Sequence, residues 1–317
     1  MRVLACSIAL TTILPLAVGC PSDPAEDDVT TVMPSSTQGS GSGSETASPG
    51  TTDEPGTTSL PPGTSGSATT DDGPADSSSS DDGSETTAAG MPGDWLLTVD
   101  NGSSPPRLVR VGLAGGTVEV CTLAPTVSYE SLVFDRDGTL YGHNAAANRL
   151  DTINPCNCSF QLVGPTSLGP ITLSLGPATG DDLLGLDATL DALVRVDPST
   201  GLGTVVGPLG FMFGVGSLAW SDSIASPYAI EGDNDFLYTV NVATGESTPL
   251  QMVTEDVTNP GLAVHPNDGG LYVCSGDTMY SLDPVTGLML PIGGLGLSGG
   301  CQTLAAPQTA VACVDEL

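Results

Sequence analysis

From about residue 94 onward, apolar residues recur in short runs separated by clusters of Gly, Pro, Asn, Asp, Ser and Thr. Within the runs apolar and polar positions alternate, which is the period of half-buried β-strands. The runs themselves repeat. LVRVDPSTGLGTVVG at 193–207 returns as LYTVNVATGESTPLQ at 237–251 and as MYSLDPVTGLMLPIG at 279–293. Two looser copies, LVRVGLAGGTVEV from Leu108 and LDTINPCNCSFQLVG from Leu150, complete a series with intervals of 42, 43, 44 and 42 residues. A fixed period of this size is the signature of a repeat architecture.

The repeated phrase is a strand, a turn and a strand. In Asp197, Pro198, Ser199, Thr200 and Gly201 the Asp accepts from the backbone two residues on, Pro presets the first corner, and Gly takes the left-handed position that closes the hairpin. The turn at 283–287 does the same, and the turn at 241–245 keeps Asn and Gly without Pro. Upstream of the hairpins lie two further strand series. One reads SLVFDRDG, TLSLGPATG, SLAWSDS, GLAVHPNDG and TLAAPQT; the next reads TLYGHN, DLLGLD, PYAIEG and GLYVCSG. Four strands in some 43 residues make the blade of a β-propeller. The motifs resemble secreted bacterial propeller repeats of the YVTN and NHL-like kind, whose pattern runs SLAFDPDGTLYG then LYxVDPxTG. The resemblance covers roughly 94–317 and implies an architecture while saying little about function. The first unit, from Asp94, lacks an upstream strand, and CQTLAAPQTAVACVDEL at the C-terminus supplies one, so the chain is expected to close a ring. The fold class is all-β, a propeller of five blades, or six if 310–315 adds a strand.

Composition changes the picture at the N-terminal end. The 317-residue chain has 37 acids, 6 arginines and no lysine, a net charge of −31. Such a surface repels phosphate backbones and excludes direct nucleic-acid binding. It fits a soluble or salt-adapted surface, or loosely held divalent cations. MRVLACSIALTTILPLAVGC has Arg2, an apolar run too short for a comfortable membrane span, and Cys20 after small residues. It resembles a bacterial lipoprotein signal that is cut before an acylated cysteine. It departs from that pattern in having Ala17, with Leu16 one place further back. The alternative is ordinary signal cleavage. From Pro21 to Pro92 the chain is mostly Ser, Thr, Gly, Pro, Asp and Glu, without Lys, Arg or aromatic residues. It buries too little apolar surface to offset ordering entropy, so it reads as a disordered tether. Its 72 residues would span roughly 45–50 Å as a flexible coil. The expected organisation is a signal at 1–19, a tether at 20–92 and a propeller at 93–317.

Candidate chemistry is sparse. Cys6 leaves with the signal. Cys121, Cys156, Cys158, Cys274, Cys301 and Cys313 are an even set in an exported chain and read as disulfides, with 15 connectivities open. A Cys-Asn-Cys metal site is the weaker alternative. Cys301 and Cys313 bracket the closing strands, where a staple is expected. His143 and His265 read as strand-end or turn residues. At the approach to the innermost strands only Glu130 is charged, against a metal-centred active site there. The acidic loop with Glu231, Asp233 and Asp235 is the candidate calcium site, ahead of the loop 135–138. No nucleophile elbow, P-loop or dinucleotide fingerprint follows a strand, so no catalytic residue and no cofactor beyond calcium is assigned. These features point to an envelope lipoprotein, lipid-anchored at the outer membrane or cell surface, that displays a propeller as a binding or scaffolding module for an envelope protein or an extracellular glycan. The alternatives are an exported propeller lactonase or lyase using Glu130 or His143, and a structural surface-coat component.

Overall fold

The structure, a computed structural model, describes residues 90–317 apart from 175, 177–179 and 181. Cys20, the expected signal at 1–19 and the expected tether up to residue 89 lie outside the described residues. The described chain is a five-bladed β-propeller. Four blades are antiparallel four-stranded sheets in chain order: β4 to β7 (Tyr129–Phe134, Leu140–Asn144, Arg149–Ile153, Phe160–Pro165), β8 to β11 (Ile171–Ser174, Leu183–Asp187, Ala192–Val196, Gly203–Pro208), β12 to β15 (Gly216–Ser221, Ser226–Glu231, Phe236–Val240, Ser247–Met252) and β16 to β19 (Gly261–Val264, Leu271–Ser275, Thr278–Leu282, Met289–Gly294). The first blade has three strands, β1 to β3 (Trp95–Asp100, Arg107–Gly112, Thr117–Thr122). Its innermost place is filled from the C-terminus, where Leu97 and Ala305 exchange both backbone hydrogen bonds at 2.9 Å. The ring therefore closes at five. The candidate sixth-blade strand at 310–315 is instead a short helix, α1 (Ala312–Asp315), whose Val314 is buried in the cluster between blades 1 and 2.

Five hydrophobic clusters sit between blades, one per junction. Leu97 and Leu108 meet Tyr129, Leu132 and Phe134 between blades 1 and 2. Leu96 and Val109 meet Tyr272, Met279 and Leu304 between blades 5 and 1. Strands second from the axis, such as the wholly buried WLLTVD of β1, feed a cluster on each side, so they read as apolar runs without alternation.

A second tie runs around the axis. The amide of Leu132 donates to Thr303 Oγ1 (2.8 Å), that of Leu173 to Ser131 Oγ (2.5 Å), that of Trp220 to Ser174 Oγ (2.9 Å) and that of Leu262 to Ser217 Oγ (3.1 Å). Each bond crosses from one innermost strand to the next. At the fifth junction the matching position is Gly261, which has no hydroxyl, and a Cβ there would meet the Thr303 backbone at 2.7 Å. That junction carries the Cys274–Cys301 disulfide instead.

All six cysteines of the fold are paired. Cys121 joins Cys158, Cys156 joins Cys313 and Cys274 joins Cys301. Cys301 and Cys313 are thus not bonded to each other. One end of the closing segment is fixed back to blade 5 and the other forward to the β6–β7 turn of blade 2. That turn, Asn154 to Cys158, is the repeated turn in another spelling. Asn154 Oδ1 accepts from Cys156 N at 2.9 Å, as Asp197 Oδ1 accepts from Ser199 N at 2.8 Å. Cys158 stands in the left-handed position (φ 58°) that Gly201 occupies elsewhere (φ 78°). Three disulfides belong to an oxidising, exported environment, and no helix among the described residues is long and apolar enough to cross a membrane.

Candidate ligand site at the channel mouth

The innermost strands all start at one face of the ring and end at the other, so the residues just before and at their starts encircle a mouth. Glu130, Pro170, Thr172, Phe213, Gly214, Val215, Asn259 and Gln302 line it, around a cavity of about 220 Å³. That is below the ~300–1,000 Å³ typical of drug-sized ligands and suits a head group or a side-chain tip. Below the mouth the axis is filled by Leu132, Leu173, Leu218, Leu262, Leu304 and neighbouring alanines, leaving only about 40 Å³. At the far face Arg136 of blade 2 reaches Asp222 of blade 4 with two hydrogen bonds, 2.8 and 3.2 Å, and also the Gly176 carbonyl of blade 3. Arg136, together with the Trp220 indole, holds the Asp222 carboxyl below its ordinary range against the opposing effect of burial. The mouth is therefore a blind dish rather than the entrance of a pore.

Four polar side chains face this dish: Glu130, Thr172, Asn259 and Gln302. Thr172 Oγ1 is buried without a hydrogen-bond partner. Thr172 holds the ring position at which Ser131, Ser217 and Thr303 accept from the next blade, but Ser174 takes that role at this junction. Glu130 is the one charged residue of the lining. Asn259 adopts a left-handed backbone (φ 47°) beside Pro260 at the rim. Among the described residues none of the five arginines lines the mouth, and Phe213, 2% exposed, forms an apolar part of its wall.

The remaining sequence-derived candidates are engaged in the architecture. Glu231 is fully buried; its two carboxylate oxygens accept from Asp233 N and Asn234 N, both at 2.9 Å, and from Asn234 Nδ2 at 3.0 Å. Asp235 Oδ1 accepts from Val257 N at 2.8 Å, while Asp233 is exposed. Among the described residues no three His, Cys, Asp or Glu side chains are grouped to hold a metal ion. Asp135 Oδ1 accepts from Asp137 N and Thr139 N within its own turn. His143 is 1% exposed, with Nε2 3.3 Å from Asn148 Oδ1 and Nδ1 unpartnered, and burial pushes its pKa down. His265 Nε2 lies 3.0 Å from the Gly93 carbonyl and Asn267 Nδ2 donates to the Pro92 carbonyl, so both hold residues 92–93 against blade 5.

A repeated device escapes the sequence reading. In four blades an Asx residue next to the third strand pins the loop that leads into the next blade. Asp191 Oδ1 accepts from Phe213 N (2.7 Å), Asp235 Oδ1 from Val257 N (2.8 Å) and Asp277 Oδ1 from Leu297 N (2.8 Å), and Asn148 bonds Thr166 Oγ1 and the Leu168 carbonyl. The signal was present, since Asn148, Asp191, Asp235 and Asp277 each directly precede the strand in its repeat. Asp235 is thus one member of a structural series.

Neither a family model nor a curated protein sequence matches the chain. Among solved structures, a protein of unknown function from Bacteroides thetaiotaomicron is similar over 62% of this chain and 56% of its own length, at 14% identity and TM-score 0.46. The chain thus spans little more than half of that protein. A chain of a nidogen–laminin complex is similar over 68% of this chain and 95% of its own (13% identity, TM-score 0.47). A catalytically inactive variant of virginiamycin B lyase from Staphylococcus aureus, crystallised with quinupristin, matches over 63% and 69% (14% identity, TM-score 0.40). At these scores the likenesses carry no weight; the five blades rest on strand pairing.

Proposed function

We propose that the protein is an exported, lipid-anchored binding module that presents the mouth face of a YVTN/NHL-like propeller to an envelope or extracellular partner. The observation that supports this most is the contrast in how polar groups are used. Asn148, Asp191, Asp235 and Asp277 are each held by hydrogen bonds within the fold, whereas Glu130, Thr172, Asn259 and Gln302 around the mouth are free to meet a ligand. Turnover would need a second acid–base group within reach of Glu130, and the described lining adds to it only two amides, the Thr172 hydroxyl and apolar groups.

The contacts of residues 90–93 support the same reading. The Gly90 carbonyl accepts from Ala310 N, and Gly93 and Pro92 contact His265 and Asn267 in the β16–β17 loop. That loop belongs to the face opposite the mouth, so residues 90–93 are fixed away from the mouth lining. Acylation at Cys20 would then hold the module to a membrane, each buried CH₂ contributing roughly 0.8 kcal/mol. The test is to export the full chain in a bacterium and analyse its N-terminus by mass spectrometry. An acylated Cys20 in the membrane fraction, with Cys20→Ser released to the soluble fraction, is the expected outcome. A mature chain that is soluble and unmodified at Cys20 would overturn the anchor.

A further inference from the structure

The mouth has a charge preference, and we propose from it that the ligand is a small organic cation: a quaternary or protonated amine, or the guanidinium tip of a partner's side chain. This rests on the binding-module reading and gives it a ligand class. Glu130 is the single charge of the lining and, among the described residues, makes no hydrogen bond or ion pair there. Acids elsewhere in the ring are used differently. Asp100 and Glu119 hold Arg107, and Asp222 holds Arg136. An anionic ligand would face an unpaired carboxylate with no described arginine to offset it. The chain has no lysine, and its net charge of −31 raises the local concentration of cations around it.

The rest of the lining suits such a head group. Phe213, Val215, Pro170 and Ala188 give apolar contact for methyl or methylene groups. Thr172 Oγ1, Asn259 and Gln302 give oxygens on the same dish, one of them buried and unpartnered. An apolar wall and a carboxylate lining one dish suit an alkylated ammonium, whose methyl groups take the apolar contact while the charge is met by Glu130. The blind floor of leucines limits how far a ligand can enter, so the cation must be terminal. Leu190 and Met212, in the same loops as the lining residues Ala188 and Phe213, are exposed, Met212 by 82%.

The experiment uses calorimetric titration of the full chain with two matched pairs. Choline is compared with 3,3-dimethyl-1-butanol, which replaces the charged nitrogen by carbon. N-acetyl-arginine amide is compared with N-acetyl-citrulline amide. The expected result is that at least one cation binds, that its neutral partner binds at least tenfold more weakly, and that Glu130→Gln removes the difference while circular dichroism stays unchanged. Raising ionic strength should weaken binding more in the wild type than in the variant, which keeps only the long-range attraction of the acidic surface. Which pair responds separates a free ammonium from a side chain of a partner. Equal binding of cation and neutral isostere, binding untouched by Glu130→Gln and Glu130→Ala, or no binding by either cation would each overturn the proposal. A neutral ligand found at the mouth would sink the cation while leaving the binding module standing.

Discussion

His143 shows how a buried residue couples the fold to pH. Burial holds its imidazole neutral and its pKa below the ordinary 6.5, against the opposing pull of Asn148, Asp151 and Asp187. The unfolded chain therefore takes up a proton first, and stability falls as pH drops from about 6.5 toward the lower folded value. A separate acid limb follows from Asp100, Asp197, Asp222 and Asp283, whose pKa values all lie below 3.8 in the fold. For Asp100, burial alone would raise it, and the donations of Arg107, Ser298 and Gly299 together outweigh that. Their contributions are present above 3.8 and are lost as pH falls through the folded values. Urea midpoints measured from pH 8 to 3 should thus decline in two stages, and His143→Gln should flatten the first while leaving the second. At Asp235, Asn keeps the oxygen that receives the Val257 amide and Ala does not. Asp235→Asn is expected within about 0.5 kcal/mol of wild type, and Asp235→Ala to lose about 1–3 kcal/mol, with or without calcium. A calcium-dependent rise in wild-type stability that Asp235→Asn abolishes would instead make the loop a metal site.

Each outer hairpin carries the same irregularity. The register between the third and fourth strands slips by one residue in all five blades, leaving Val120, Val163, Val206, Leu250 and Ile292 unpaired in the ladder. Each of these packs against the hydrophobic cluster of its junction. The bulge turns an apolar side chain inward while its neighbours face water, and it twists the exposed edge away from a flat template for aggregation. Val205 is 52% exposed and Val206 reaches the cluster between blades 3 and 4. Val206→Asp should therefore cost about 2 kcal/mol or more and Val205→Asp less than about 0.5 kcal/mol in denaturant melts. The bulge explains what the chain pattern could and could not convey. Strand existence, turn chemistry and the repeat were legible because alternation and the Asp-Pro-x-Thr-Gly phrase act locally. The slip was not, because VV at 205–206 looks the same to a period-two pattern whichever residue is left out. Cys158 was half legible. Its place in the turn could be read, but the choice among 15 pairings depends on which loops the ring brings together. The aligned approaches to the innermost strands, YES, GPI, VGS, NPG and GCQ, already held Glu130, Asn259 and Gln302, but Thr172 lies one place beyond them and the cavity they share depends on ring closure.

At the scale of the whole molecule, the disulfides gather where the ring is joined. Cys121–Cys158 ties blade 1 to blade 2, and the other two fix both ends of the C-terminal segment that completes blade 1. With sequence separations of 27 and 157 residues, the chain-entropy model gives about 3.5 kcal/mol for Cys274–Cys301 and about 5 kcal/mol for Cys156–Cys313. Paired Cys→Ala variants should lose stability in that order, measured by urea unfolding, and hydrogen exchange should show β1 opening before the central blades. A ring closed at one well-stapled seam gives a rigid frame, and the loops at its mouth face are held by the Asx pins and the hydroxyl ties. On such a frame the free polar groups of the dish stand out as the part not used for folding.

The most direct test of that account is carboxylate footprinting of Glu130. The chain would be labelled with a carbodiimide and glycinamide, once purified and once on intact cells that export it naturally, and modification would be read by mass spectrometry. The account predicts that Glu130 is labelled readily in the purified chain and protected on cells, where its partner is present, while Glu231 and Asp235 stay protected in both. Equal labelling of Glu130 in the two states would contradict it, and the mouth would then be a dish without an occupant.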